Sequence, residues 1–241
     1  MKTIKLDRTH STNSWIAEHE NELTAPTLVY ALEQTAGRGQ RGNSWEAEPG
    51  MNLTASIFFV PEGVEPHRQF LISEAVALAV VDFLHDLGVE AKVKWPNDIY
   101  VGDKKICGIL IEHSIMGREI MRTIAGVGVN INQEEFRSDA PNPVSVWQLT
   151  GKEHDIADVA KALGERMEGR MAHIADGEGL HAEFLSKLWR GDGKCCLFRD
   201  AARDEKFNAR IEEIAPDGML SLMTVNGELR KYAFKEVEFI L

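Results

Sequence analysis

The chain is short of cysteine, of positive charge and of long apolar runs, and each shortage closes off a class of protein. Three cysteines in 241 residues, two of them adjacent at Cys195 and Cys196, supply neither a disulfide framework nor the C-x-x-C pairs of a zinc site. They read as free thiols in a reducing compartment. None of the eight histidines stands at metal-ligand spacing, so they read as surface or internally satisfied residues. No run approaches the roughly 18–20 apolar residues that span a bilayer, and the opening MKTIKLDRTHSTNS lacks the apolar stretch of a signal peptide. The expected location is the cytoplasm. With 38 acidic against 27 basic residues and a net charge of -11, long-range attraction to nucleic acid or anionic membrane is disfavoured. A local basic site for a small anion stays open.

What is present is ordinary for a globular chain: 44% hydrophobic and 27% charged residues, enough for one medium domain plus a small one. STNSWIAEHE (11–20) offers hydroxyl N-caps before Trp15 and Ile16 and reads as a short helix. TLVYALEQ (27–34) and NLTASIFFV (52–60) read as buried strands. The three-four apolar spacing from Phe70 to Leu87, closed by Gly88, predicts a long buried helix. Short strands follow at 91–95, 98–101, 105–115 and 119–132, so the sheet should be mostly antiparallel or mixed. Two further helices are expected over 155–174 and 180–190. From Gly191 the texture turns to short strands with Asp217-Gly218 and Asn226-Gly227 turns. The domains expected are therefore 1–190 and 191–241.

GRGQRG (37–42) has the G-x-G-x-x-G spacing of a dinucleotide site. That reading needs a strand before it and a helix opening inside it, but NSWEAEPGMN follows, with Pro49 and Gly50, and then another strand. The segment is instead a loop in which glycines allow close approach and Arg38 and Arg41 offer bidentate donors to a carboxylate or phosphate. A solvated hairpin with incidental arginines is the alternative. In KWPNDIYVGDKKICGILIE (94–112), Pro96 ends a strand and presents Asn97 and Asp98 at a turn, and a hairpin brings Lys105 back toward Asp98. Cations flanking a carboxylate suit activation of an acid by ATP; a surface ion pair is the plainer reading. In GVGVNIN (126–132), Gly126 and Gly128 allow a flat ring on the backbone and Asn130 can hydrogen-bond it, or the segment is a simple strand-end turn.

Taken together, HSTNS, EQTAGRGQRGNSW, KWPNDIYVGDKKICGILIE and GVGVNIN closely resemble the motifs of the biotin protein ligases, in that family's order, strongly over residues 5–132. The resemblance implies an α+β fold: a mixed β-sheet flanked by helices, class II synthetase-like, followed by a small SH3-like β-barrel. It implies formation of biotinyl-5'-AMP from biotin and MgATP, then transfer to a lysine of a biotin carboxyl carrier protein. Carried across residue by residue, it places Ser11, Thr12, Asn13, Gln34, Gly37, Arg38, Gly39, Gln40, Lys105 and Gly108 around biotin. Arg38, Arg41, Trp45, Lys94, Asn97 and Asn130 fall to ATP and the adenylate, Trp45 as a cover. Lys105, Asp98, Arg38 and Arg41 would be catalytic, with Mg2+ arriving with ATP and lying near Asp98. Homodimers are common in the family.

Two departures stand out. Some members have Arg where Gln40 stands, in the loop that closes on the adenylate. Some carry an N-terminal helix-turn-helix domain and repress biotin genes, whereas ten residues precede Ser11 here, so no operator binding is expected. The competing readings are a lipoate or octanoyl transferase of related fold and a biotin-binding regulatory module without catalysis.

Overall fold

The computed structural model describes residues 1–137 and 142–241. Its main sheet has seven strands: β1 (Lys2–Thr9), β2 (Thr27–Gln34), β3 (Leu53–Phe59), β4 (Lys92–Lys94), β5 (Asp98–Val101), β6 (Lys104–Met116) and β7 (Glu119–Val129). They lie in the order β1-β2-β3-β7-β6-β5-β4. Only β1 and β2 run parallel, and a parallel pair needs a crossover; the helix α1 (Thr12–His19) supplies it. The sheet is mixed, as expected. β1 was not foreseen: in KTIKLDRT only Ile4 and Leu6 mark the two-residue period, and the strand is a mostly exposed edge.

Alternation along the strands divides the molecule. Leu53, Ala55, Ile57 and Phe59 of β3, with Ala125, Val127 and Val129 of β7, enter one large core beneath α2 (Phe70–Asp86) and α4 (Ile156–Met171). The intervening residues, Thr54, Ser56 and Gly126 and Gly128, face the opposite side. There α1 covers one end through Ile16 against Val29, Phe58 and Ile124, and the remainder is the floor of a cavity. Two shorter helices complete this part, α3 (Val146–Thr150), closed by a Ser145/Gln148 capping box, and α5 (Gly177–Ser186). The helices foreseen over 155–174 and 180–190 are present with shifted ends; α3 was not foreseen.

One irregularity in the sheet decides a side chain's direction. Asp98 pairs with Gly108 and Ile99 with Cys107, but Tyr100 pairs with Lys105 rather than Ile106. Two residues of β6 therefore oppose one of β5, a β-bulge. Ile106 and Cys107 both enter the core, and Lys105 emerges on the face of Gly108, where strict alternation would have sent it inward.

The C-terminal part is a five-stranded antiparallel sheet of β8 (Cys196–Asp200), β9 (Glu205–Ile214), β10 (Leu220–Thr224), β11 (Leu229–Tyr232) and β12 (Val237–Phe239), ordered β11-β10-β9-β8-β12, an arrangement compatible with an SH3-like domain. So small a unit buries too little to stand alone comfortably. Its Phe198, Ile214 and Leu222 belong to the same continuous core as α2. Trp95 Nε1 donates to the Gly218 carbonyl at 3.0 Å, and the Phe234 ring lies 5.4 Å from Trp95 and 6.0 Å from Phe70. The turn that presents Asn97 and Asp98 is thus clamped from the C-terminal side.

Candidate functional site

A cavity of about 1120 Å3 opens on the glycine-bearing face of the main sheet. Its walls are the start of α1, the loop 37–45, the 95–97 turn and the edge of β12. Across the floor runs one register row, Thr54 opposite Gly128, Gly128 opposite Gly108, Gly108 opposite Asp98, Asp98 opposite Lys94.

At one end of that row Lys105 Nζ lies 2.6 Å from Asp98 Oδ1, and Lys94 Nζ lies 4.0 Å from Asp98 Oδ2. The bulge and the hairpin together make this triad, and the Asp98–Lys105 approach expected from the hairpin is observed. Lys94 also donates to Tyr100 Oη at 3.3 Å and sits 5.6 Å from the centre of the Phe239 ring. Burial pushes the Lys94 ammonium below its ordinary value, opposed by Asp98 and reinforced by Lys105 and Arg190. Burial, with the Asp98 charge, pushes the Tyr100 phenol up to about 12. The Cys107 thiol, pushed up by burial in the core, is an inert neighbour.

At the other end Thr12 and Asn13 are buried at the start of α1. Ser11 occupies the N-cap position, but its side chain makes no cap bond; Gln34 Oε1 instead accepts from Thr12 N at 2.7 Å and lies 3.1 Å from Thr12 Oγ1. The expected hydroxyl cap is therefore replaced by an amide from β2, which satisfies an orphan helix N–H across the sheet. Ser56 Oγ lies 2.6 Å from both Thr12 Oγ1 and Asn13 Oδ1. Asn13 Nδ2 donates to Glu112 Oε2 at 2.7 Å, and Arg38 Nη2 reaches the same oxygen at 3.0 Å.

GRGQRG is a loop between β2 and β3, as its flanks indicate. It folds on itself through a bridge between Arg38 and Ser44, with Gly39 N donating to Asn43 O at 2.6 Å and Trp45 N to Gly37 O at 3.0 Å. Gly42 takes φ +88°, which a side chain would resist. At Gly37 a Cβ would stand 2.8 Å from the Trp45 carbonyl. The Gln40 carbonyl accepts from Lys235 Nζ at 3.2 Å, so the turn between β11 and β12 touches this loop directly. The side chain of Arg41 lies outside the described residues.

Trp45 lies on the floor. A Cβ on Gly108 would come within 3.0 Å of its indole, and one on Gly128 within 2.6 Å of Nε1; Lys105 Nζ stands 5.7 Å from the ring. The flat group that the glycines admit is thus the protein's own indole, whose buried Nε1 has no hydrogen-bond partner among the described residues. Gly126 admits the Asn13 amide in the same way. Asn97 and Asn130 both line the cavity, yet their amides also brace it: Asn97 Nδ2 donates to Ile109 O at 2.6 Å and Asn130 Nδ2 to Val144 O at 3.1 Å.

Mg2+ was expected near Asp98. Asp98 does not suit it, because its two oxygens already face two ammoniums; Mg2+ held by nucleotide phosphates and water needs no cage of protein carboxylates. The structure brings together Ser11, Thr12, Asn13, Gln34, Arg38, Gly39, Gln40, Trp45, Lys94, Asn97, Asp98, Lys105, Gly108 and Asn130 around one cavity. Gly37 does not line it but packs against the Trp45 carbonyl and the Gln34 amide. Ser56, Glu112 and Lys235 were not singled out. A serine inside the apolar NLTASIFFV and a glutamate closing KICGILIE were the available signals, whereas nothing in the sequence marks Lys235.

The profile of the Biotin/lipoate A/B protein ligase family matches residues 5–130, just over half of the chain, and the chain belongs to that family. It is 31% identical over 180 residues to the bifunctional ligase/repressor BirA of Escherichia coli (strain K12), covering 73% of this chain and 55% of BirA. It is 35% identical over 153 residues to the biotin--[acetyl-CoA-carboxylase] ligase of Paracoccus denitrificans, 61% of this chain and 63% of that one. The chain thus spans between about half and two thirds of the length of these relatives. Its fold is that of the biotin protein ligase of Aquifex aeolicus in complex with biotin and ATP, with a TM-score of 0.82 at 23% identity, covering 99% of this chain and 98% of that one.

Proposed function

We propose that this protein joins biotin to AMP at the expense of ATP and then passes the biotinyl group to a lysine of a biotin carboxyl carrier protein. The observation that carries the reading is the Lys105–Asp98–Lys94 triad at one end of a glycine floor whose other end is the Thr12–Asn13–Gln34 network. The relatives named as biotin ligases, and the neighbour bound to biotin and ATP, support it.

In the first step a biotin carboxylate oxygen attacks the α-phosphorus of ATP and pyrophosphate leaves. Two anions must approach, and Lys105, Arg38 and Arg41 offset their charge as it concentrates. Mg2+ bound to the ATP phosphates would add to that charge shielding. Ser11, Thr12, Asn13, Gln34, Gly37, Gly39, Gln40 and Gly108 shape the biotin end. Trp45, Lys94, Asn97 and Asn130 take the nucleotide end, the indole moving from floor to cover. In the second step the carrier's lysine amine attacks the anhydride carbonyl, AMP leaves with the bonding pair, and Asp98 receives or orients the amine proton. Lys105 polarises the same carbonyl.

Biotin-dependent exchange of pyrophosphate into ATP, with lipoate as control and a carrier domain as final acceptor, tests this. Exchange with lipoate and none with biotin would overturn it in favour of a lipoate-activating relative. Biotin binding without any exchange would indicate a regulatory module.

A further inference from the structure

Glu112 does not line the main cavity; it faces a second cavity of about 450 Å3 on the far side of Arg38. Yet both groups bonded to it do line the main one. Its Oε2 alone accepts from Asn13 Nδ2 at 2.7 Å and from Arg38 Nη2 at 3.0 Å. From this geometry we infer that Glu112 is the positioning residue for the biotin end of the site, an assignment that rests on the ligase reading of Asn13 and Arg38.

The physical argument is one of direction. A carboxylate only accepts hydrogen bonds, so Asn13 must turn its Nδ2 toward Glu112 and its Oδ1 toward Ser56. Ser56 Oγ, 2.6 Å from that oxygen, then spends its single proton on Asn13. Only lone pairs remain to Ser56 on the side of Thr12 Oγ1, also 2.6 Å away, so the Thr12 hydroxyl turns its proton to Ser56 and Gln34 Oε1 is held by the Thr12 N–H. Gln34 is oriented from the other end, because its Oε1 accepts from Thr12 N. Its Nε2 is therefore the end beside Gly37, 3.2 Å from where a Cβ would stand. One carboxylate outside the cavity thus sets, through the buried Ser56, which atoms Asn13 and Thr12 present inside it. The chain is largely buried: Asn13 is 3% and Ser56 0% exposed, and in such surroundings a reversed amide leaves unpaired groups.

The Arg38 half of the arrangement is different. Both side chains are about half exposed, 45% for Arg38 and 40% for Glu112, and ion pairs so hydrated hold weakly. Glu112 therefore parks the guanidinium beside the cavity without locking it, and a substrate carboxylate or phosphate can draw it away.

The test is steady-state pyrophosphate exchange by the full chain, with separate KM values for biotin and ATP and a thermal melt of each variant. Glu112→Ala removes the nearer of the two acceptors of Asn13 Nδ2, leaving the Leu110 carbonyl at 3.4 Å, and should raise the biotin KM about tenfold while the ATP KM moves by less than about twofold. Glu112→Gln keeps an acceptor oxygen and should recover most of the biotin KM. Glu112→Asp, which withdraws the carboxylate by one methylene, serves if the alanine variant does not fold, and should also raise the biotin KM. An unchanged biotin KM in the alanine variant overturns the role, as does a rise of both KM values together that glutamine fails to rescue. Absence of biotin-dependent exchange in the wild type overturns the ligase reading and this role with it; normal wild-type exchange beside an unaffected alanine variant overturns this role alone.

Discussion

Lys105 Nζ stands 2.6 Å from Asp98 Oδ1 because a bulge at Ile106 and Cys107 turns the lysine onto the cavity face. Neighbouring residues on a regular strand point to opposite faces, and so do residues three apart. The pair therefore depends on one extra residue in β6.

Lys105→Ala removes the cation that this arrangement delivers. Biotin-dependent pyrophosphate exchange should fall by about a hundredfold or more, the scale of losing one transition-state electrostatic contact. Asp98→Asn leaves Lys105 and Lys94 without their shared carboxylate, and transfer to the carrier should fall further than adenylate formation does. Single-turnover transfer from preformed adenylate separates the two steps; a Lys105→Ala enzyme with normal exchange would refute the assignment.

Gly128→Ala puts a methyl group where the Trp45 indole lies. The indole must leave or the strand must shift, at a cost of about 1–3 kcal/mol in stability. Urea unfolding monitored by circular dichroism should register the loss, and the ATP KM should rise with it. Full stability in this variant would show that the indole rests elsewhere in solution.

Lys235→Ala severs the ammonium's bond to the Gln40 carbonyl. One charge-assisted bond is worth about 1 kcal/mol or somewhat more, so opening of the glycine loop should become about fivefold more frequent. Trypsin cleavage after Arg38 or Arg41 should accelerate by that factor in the absence of ligand, and biotin with ATP should slow it. Equal rates in wild type and variant would mean that the contact does not restrain the loop.

Glu74 supplies a pH dependence. It is fully buried in α2, its Oε1 2.6 Å from His181 Nδ1 and its Oε2 without a partner among the described residues. Burial raises its carboxyl above the ordinary value, against the pull of His181. A raised carboxyl binds its proton more tightly in the folded state, so its contribution to stability is complete below the unfolded value of about 4.3. That contribution is lost as pH rises through the folded one. Glu74→Gln should therefore gain stability relative to wild type as pH rises across that window and hold the gain above it. Denaturant midpoints at several pH values measure this, and a difference independent of pH would contradict it.

Much of the fold was legible because its signals are local. The apolar spacing of Phe70 to Leu87 marks α2, and Pro49 and Gly50 forbid the helix that a dinucleotide site would need after GRGQRG. Legibility failed where a residue's role depends on a partner remote in sequence. Ser11 has the chemistry of a cap, but Gln34 arrives from β2 and takes the task. Trp45 reads as a cover, yet in this structure it lies on Gly128, one of the two glycines foreseen as a platform for a ligand ring, and on Gly108, while Gly126 receives the Asn13 amide. β1 escaped notice because an exposed edge strand needs only two apolar residues.

By itself the sequence determined which chemistry is available: arginines in a glycine loop, a carboxylate and two lysines around Trp-Pro-Asn, and asparagines ending an apolar strand. Side-chain charge and backbone freedom are properties of each residue and travel with it into any fold. Only the tertiary structure decided which of these meet. Register is a relation between strands, so the bulge that turns Lys105 toward Asp98 could not be read from β6 alone. The Glu112 carboxylate reaches Arg38 across 74 positions, and Lys235 reaches Gln40 across 195. Such contacts are set by how the sheets pack, because a hydrogen bond constrains distance in space and carries no trace of separation along the chain.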